Sequence, residues 1–387
     1  MRGIPCFIAV LVSLLLQTEN VLGRTEAERL AAYAAGNYSW PVPQFQPSNP
    51  GWEKLMRHRL RQVEEISNRQ DRFEGYAQVL SASLIQPNYT QYGFGLARAP
   101  DDLMEALRQG IRDGLAKGPR EEYYIPAIEG LRPWFIDRPD LTKRVLNELQ
   151  TFPETWSGME LTPVVAYGFR LYRNQSRLHV HVDKPQTHVI SFILHIDSSE
   201  DAEPWPILIE DLQGNTHEVI LTSGDILFYE SSKCFHGRPR KFNGTWYSSI
   251  FVHYYPKYGY KDTFDDYAKV NAIPPHWEQP PQSHFEIALE MHGTSLEEPD
   301  CPHGWCATEY SKKWSGPAEE GFWTAPTGEK FPFEPVIKPT CVDRDDRCKF
   351  YLRNNPDECN VNPTYMHKFC AQTCNTCTAK AASHEEL

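Results

Sequence analysis

Between residues 49 and 160 the apolar positions recur at helical spacing. Trp52, Leu55, Met56, Leu60, Val63 and Ile66 fall on one face, and Asn49-Pro50 before them is a helix start signal. A second stripe, Leu103, Leu107, Ile111 and Leu115, predicts a helix from Asp101 to about Lys117, opened by acidic residues and closed by Gly118-Pro119. A third begins at Pro139-Asp140, with Leu141, Val145, Leu146 and Leu149 facing inward. Core packing accounts for all three stripes. The region 24–160 is therefore read as mostly helical.

Near Leu161 the period changes. Up to Pro256 the chain is rich in β-branched and aromatic residues between short turns, which predicts strands. They fall at Val164–Arg173, Leu178–Val182, His188–Ile196, Ile207–Glu210, His217–Leu221, Ile226–Tyr229, Phe235–Arg238 and Tyr247–Tyr255. Gly214-Asn215 and Ser223-Gly224-Asp225 mark two of the turns. So many short strands over 161–257 point to a double-sheet jelly roll, a double-stranded β-helix. The expected fold is thus α+β, with N-terminal supporting helices. Residues 258–340 show no period, are rich in proline, and read as an irregular linker.

The ends of the chain change the picture. Arg2 precedes the apolar run Ile4–Leu16, followed by polar residues and Val21-Leu22-Gly23, which reads as a signal peptide over 1–23. The run is 13 residues, short of the roughly 20 that span a bilayer. The tail, 378–387, ends in His384-Glu385-Glu386-Leu387, a variant of the retrieval signal read by a receptor of the endoplasmic reticulum (ER). The two signals together predict a protein of the ER lumen. Four sequons, at Asn37, Asn88, Asn174 and Asn243, suit that compartment. A net charge of −12 argues against a nucleic-acid partner, and no later segment is apolar enough to span a membrane.

Cysteines divide the rest. Cys301 and Cys306 predict a small disulfide loop; a zinc half-site is the alternative, but no matching second pair is left over. Cys341, Cys348, Cys359, Cys370, Cys374 and Cys377 fill a segment too small to build an apolar core, so disulfides must hold it. Their spacing leaves every pairing open. The pattern C-x6-C-x10-C-x10-C-x3-C-x2-C resembles the ShK-toxin-like (ShKT) domain over 341–377. That resemblance implies bridges Cys341–Cys377, Cys348–Cys370 and Cys359–Cys374. Cys234 is left over and reads as a small buried residue.

The candidate chemistry lies in His181-Val182-Asp183 and, 55 residues later, His236. Side chains at i and i+2 of a strand share a face, so His181 and Asp183 can reach one metal. A later strand of a jelly roll can bring His236 beside them. Two histidines and a carboxylate on one side of an ion form the facial triad of non-haem iron sites. His195-Ile196-Asp197 repeats the motif, but choosing it removes one intervening strand. His179 shares the strand parity of His181 and is expected to line the same pocket.

Residues 161–256 resemble the Fe(II)/2-oxoglutarate oxygenase domain of the prolyl 4-hydroxylase type. The matching pieces are Tyr172, His181-Val182-Asp183, Gly224-Asp225-Ile226-Leu227-Phe228 and His236. Some plant and algal members also carry a C-terminal ShK-like domain. The resemblance implies His181, Asp183 and His236 as metal ligands. It implies Fe(II), 2-oxoglutarate, O2 and ascorbate as cofactors, and a peptidyl, in the first place prolyl, substrate among secretory proteins. It also implies hydroxylation coupled to the decarboxylation of 2-oxoglutarate to succinate.

One departure stands out. The family's lysine ten residues after the distal histidine, which binds the far carboxylate of 2-oxoglutarate, is here Trp246. Arg238, at i+2 from His236, is the expected replacement, with Arg170 second. Tyr172 and Ser248 are expected to add hydroxyls. Competing readings are an oxygenase of a small molecule or another residue type, and a non-catalytic binding protein that recognises its partner through the ShKT domain.

Overall fold

The computed structural model describes residues 47–68, 72, 75–76, 78–79, 81–185, 187–258, 312–333, 343, 345, 347–374 and 376. The expected signal peptide, Asn37, the Cys301–Cys306 and Cys341–Cys377 pairs and the His384–Leu387 tail lie outside them.

Helix α1 runs Pro50–Glu65. Its N-cap is Asn49, whose side chain accepts from Trp52 N at 2.8 Å and donates to Leu212 O at 2.8 Å, so one residue starts the helix and docks it. Strand β1 (Phe94–Arg98) and helix α2 (Asp101–Lys117) follow. Three two-residue strands come next: β2 (Arg120–Glu121), β3 (Ile128–Glu129) and β4 (Trp134–Phe135). Helices α3 (Pro139–Glu148) and α4 (Thr151–Ser157) complete the N-terminal part.

Eight strands are then divided four and four between two facing sheets: β5 (Leu161–Arg173), β6 (Arg177–His181), β7 (Ile190–Ser198), β8 (Ile207–Glu210), β9 (Thr216–Ile220), β10 (Asp225–Glu230), β11 (His236–Arg238) and β12 (Trp246–Pro256). The larger sheet has the order β15-β14-β1-β10-β7-β12-β5-β4-β2 and the smaller β13-β9-β8-β11-β6-β3, where β13 is Lys313–Ser315, β14 Phe322–Thr324 and β15 Lys330–Pro332. The core strands pair antiparallel within each sheet; this is the jelly roll read from the sequence.

Packing follows the stripes. Leu103, Leu107 and Ile111 of α2, Leu141 and Val145 of α3 and Trp156 of α4 form one buried cluster with Phe192, Leu194, Phe228 and Ile250. Trp52, Leu55, Met56, Leu60 and Val63 of α1 pack with Val180, Ile207, Ile209 and Val219 of the smaller sheet. Each fully buried side chain of this kind stabilises the fold by roughly 1.5–3 kcal/mol.

Two readings need correction. The region 24–160 also contains β1, which inserts between β14 and β10. Part of the supposed linker, 312–333, supplies β13 to the smaller sheet and β14 and β15 to the larger. Strands of three residues carry no legible alternation, and Phe94-Gly95-Leu96-Ala97-Arg98 does not alternate either.

In the C-terminal segment, α5 (Cys348–Asn354), α6 (Glu358–Val361) and α7 (Pro363–Phe369) are tied by Cys348–Cys370 and Cys359–Cys374, as the resemblance implied. Cys234 is free and buried, and Asn88, Asn174 and Asn243 are exposed. No helix among the described residues is long and apolar enough to cross a membrane.

Arg59 of α1 donates from Nε to Glu210 of β8 at 2.8 Å, and both side chains are buried. Removing one partner strands the other charge in the interior. Arg59→Met is expected to destabilise the protein by about 3–5 kcal/mol, measured by chemical denaturation.

Candidate metal centre

Strands β6 and β11 pair with His181 directly opposite His236. Their ring centroids are 4.5 Å apart. Asp183 lies just past β6, where its N–H donates to Ser231 O at 2.7 Å. That bond aims the carboxylate back at the pair: Oδ1 is 3.5 Å from His181 Nε2 and 3.8 Å from His236 Nε2. Their ligand atoms lie within 4.8 Å of one another. Gly237 is required beside them, because a Cβ there would come within 2.7 Å of Val180 Cα and 2.8 Å of His179 O.

The tautomers are settled by the backbone. His181 Nδ1 is 2.7 Å from His179 O, and His236 Nδ1 is 2.9 Å from Cys234 O. A carbonyl only accepts, so both Nδ1 atoms carry the proton and both Nε2 lone pairs face the shared position. Burial, joined by the neighbouring His181, pushes His236 down to about 4. Burial alone would raise the Asp183 carboxyl. The imidazoles of His181, His236 and His253 outweigh it and hold the group well below the usual carboxylate range. Both groups are therefore deprotonated at neutral pH, as metal ligands must be.

The three groups line a cavity of about 310 Å3 with Tyr167, Arg170, His188, Tyr229, Phe251 and His253. Arg170 is already paired. Its Nε and Nη2 donate to the buried Glu122 carboxylate at 2.8 and 3.0 Å, and Tyr167 OH donates to the same carboxylate. Its Nη1 reaches Tyr172 OH at 3.4 Å.

Arg238 lies inside the barrel but not on the wall of this cavity. It is 2% exposed and sandwiched between Trp205 and Tyr247, with its guanidinium carbon 4.6 and 4.7 Å from the ring centroids. It donates to Trp205 O and to Tyr247 OH, and no carboxylate among the described residues lies within ion-pair distance. Tyr172, packed edge-on to Trp205 at 5.0 Å, spans the gap between the two arginines. Ser249 stands opposite both Arg170 and His195 in the strand registers, on the interior face; its Oγ is buried and has no hydrogen-bond partner.

The remaining expectations divide. His195 is buried away from the triad, stacked on Tyr247 with Nδ1 on Ser248 O, and the Asp197 carboxylate accepts from Ser198 N at 2.9 Å, so the repeated motif is structural. His179 does not line the pocket. The register slips between His236/His181 and Arg238/Leu178, a bulge that turns Leu178 and His181 toward the cavity and sends His179 toward Glu129, at 3.2 Å. Ser248 is corrected too: its hydroxyl donates to Asp197 O at 2.6 Å and accepts from Asp197 N at 3.0 Å. It stays on the far face, and Ser249 is the interior serine. Glu122 and His253 were missed. The alternation Tyr247, Ser249, Phe251, His253 along β12 would have found the second. No sequence signal marks Glu122.

Comparisons with known proteins add the following. Residues 340–377 match the ShK domain-like family model. No curated protein matches the chain. The chain is similar to solved structures of a Pseudomonas putida prolyl-4-hydroxylase (17% identity, 48% of this chain and 98% of that chain, TM-score 0.33). It is similar to a Trichoplax adhaerens prolyl hydroxylase in complex with a hypoxia inducible factor oxygen degradation domain peptide fragment (10%, 51% and 94%, 0.36). It is also similar to HygX from Streptomyces hygroscopicus with nickel and 2-oxoglutarate bound (13%, 44% and 85%, 0.33). At these identities and TM-scores the solved structures carry nothing about activity.

A two-nitrogen, one-oxygen set on one side of an ion leaves its other positions open, as an Fe(II) site requires. The expected outcome is that the protein binds Co2+ as a spectroscopic stand-in. His181→Ala, Asp183→Ala or His236→Ala should abolish the visible absorption, and His195→Ala should leave it unchanged.

Proposed function

We propose that the chain is an Fe(II)- and 2-oxoglutarate-dependent dioxygenase that hydroxylates peptidyl residues, proline first, in the ER lumen. The observation that carries the cosubstrate is the charge balance inside the barrel. Among the described residues Arg238 is buried without a counter-charge, and burying an unpaired charge costs several kcal/mol. Each of the two ring contacts returns about 2 kcal/mol or more when desolvated, which offsets the cost in part but supplies no counter-charge. A carboxylate is the missing partner, and Ser249 Oγ is an unused hydroxyl in the same interior. The reading assigns one end of a dicarboxylate to the metal and the other to Arg238, which lies inside the barrel but off the cavity wall. Arg170 is the weaker anchor, because Glu122 already neutralises it.

When bound, the iron and 2-oxoglutarate supply the oxidising chemistry: O2 is consumed, the cosubstrate becomes succinate and carbon dioxide, and one oxygen atom enters a substrate C–H bond. The chain supplies the rest. His181, Asp183 and His236 hold the ion from one side. Arg238 orients the cosubstrate through two parallel N–H bonds. Phe251, Tyr229 and Ile193 on the cavity wall exclude water from the reacting centre. Ascorbate would keep the iron reduced. The Cys348–Cys370 and Cys359–Cys374 bridges support an oxidising compartment.

The test is succinate release from 2-oxoglutarate with Fe(II) and ascorbate, followed by a peptide panel read by mass spectrometry for the gain of one oxygen atom. No succinate would leave the non-catalytic binding protein as the better reading; oxidation confined to small molecules would replace the peptidyl one. Arg238→Ala should weaken 2-oxoglutarate binding by roughly 2–5 kcal/mol while Co2+ still binds, and Arg238→Lys should recover part of that. Unchanged affinity in Arg238→Ala with loss in Arg170→Ala would move the anchor to β5. For localisation, deleting His384–Leu387 should send the protein to the medium; continued retention would reject the retrieval reading.

A further inference from the structure

Buried phenols normally find a hydrogen-bond partner. The eight jelly-roll strands bury four tyrosines: Tyr172, Tyr229, Tyr247 and Tyr254. Three of them comply. Tyr172 OH accepts from Arg170, Tyr247 OH accepts from Arg238, and Tyr254 OH donates to Leu146 O at 2.8 Å. Tyr229 does not. It is 1% exposed, it lines the cavity of the candidate metal centre, and its hydroxyl has no partner among the described residues.

The sheet fixes where this hydroxyl stands. Tyr229 lies opposite Phe94 of β1 and Ser191 of β7, and Ser191 lies opposite His253 of β12. Directly opposed residues share a face, so Tyr229, Ser191 and His253 form one row on the interior of the larger sheet. The Ser191 hydroxyl is already engaged with Ser231 and His253. Across the barrel the Tyr229 ring packs on the His236 ring, with centroids 4.5 Å apart and planes at 62°. Packing on both sides therefore holds the phenol beside a metal ligand, and the cavity is what its oxygen faces. Burial above all, then the Asp183 carboxylate and Tyr172, push the phenol well above its usual value, so it keeps its proton and can donate. Those two neighbours bracket the route from the metal to Arg238: Asp183 is at the metal, and Tyr172 packs on Trp205, which stacks on Arg238.

We propose that Tyr229 is a further cosubstrate-binding residue, whose hydroxyl donates a hydrogen bond to the 2-oxo acid end that meets the metal. That end offers only acceptor oxygens, so a donor is the complementary group. A neutral donor suits the place better than a cation, which the metal would repel. Arg238 keeps the far carboxylate, and β10 supplies the near contact. The inference rests on the dioxygenase reading and adds a binding residue to the same site.

The experiment uses the full chain loaded with Co2+. It is titrated with 2-oxoglutarate and, separately, with pyruvate, which has the 2-oxo acid end but no far carboxylate. The visible absorption of Co2+ reads both. Tyr229→Phe keeps the ring on His236 and removes only the hydroxyl. Co2+ affinity should stay at the wild-type value, while the affinities for 2-oxoglutarate and for pyruvate should each fall by roughly tenfold or more, as expected for a lost hydrogen bond to a charged group. Arg238→Ala should weaken 2-oxoglutarate alone. Wild-type 2-oxoglutarate affinity in Tyr229→Phe overturns the proposal. So does a loss for 2-oxoglutarate with pyruvate unchanged, which moves the contact to the far carboxylate. Loss of Co2+ binding in Tyr229→Phe overturns it too, because the tyrosine would then serve His236. If the wild-type protein binds Co2+ but neither acid, the dioxygenase reading itself fails; if it binds both and only Tyr229→Phe is silent, that reading stands and this inference alone falls.

Discussion

The antiparallel register of β6 against β11 is the constraint on which the site depends. It sets His181 opposite His236, and a slip of one residue would turn one ring out of the barrel. The same two segments supply the carbonyls of His179 and Cys234, which leave both Nε2 atoms unprotonated. Ligand position and ligand tautomer thus come from one piece of backbone pairing. The bulge in β6 matters for the same reason: without it, period-two alternation would aim His179 at the cavity beside His181.

Charge inside the barrel is distributed unequally. Arg170 and Glu122 form a neutral pair on the cavity wall, with Tyr167 adding a third bond to the carboxylate. Arg238 has only a carbonyl, a phenol and two ring faces. A neutral pair is an inexpensive way to shape a wall. An uncompensated guanidinium costs stability unless a ligand completes it, and costs of that kind are tolerated at functional sites. The difference is what favours Arg238 over Arg170 as the proposed anchor.

The long elements were legible. The stripe Leu103, Leu107, Ile111 and Leu115 predicted α2 as found at Asp101–Lys117, and β8 lies where it was read, at Ile207–Glu210. That His181, Asp183 and His236 come together was within reach of the i, i+2 spacing, although Asp183 lies past the end of β6 and is placed by its N–H bond to Ser231 O. What stayed hidden depends on interruptions of periodicity. Strands β13 to β15 are three residues each, too short to alternate. The bulge in β6 misplaced His179. Ser248 is a different case: it was chosen for its distance from Trp246, whereas the alternation of β12 would have chosen Ser249. Glu122 comes from a segment whose neighbours, Tyr123 and Tyr124, are exposed, so nothing local marks it as buried.

The barrel cannot be separated from the segment that precedes it. The loop between β10 and β11 holds both halves of the candidate metal centre: Ser231 O takes the Asp183 N–H, and Cys234 O takes the His236 Nδ1–H. That loop is fastened by two buried charges. Glu230 accepts from Tyr89 N, Thr90 N and Thr90 Oγ1 at 3.0, 2.8 and 2.7 Å. Lys233 Nζ donates to Ala82 O and Gln86 O at 2.8 and 2.6 Å. All of those partners lie between residues 82 and 90, before the jelly roll begins. Without them two buried ionisable groups would lose these hydrogen bonds, at a cost of several kcal/mol. The segment 82–90 therefore helps to hold the loop that supports the candidate metal centre of His181, Asp183 and His236.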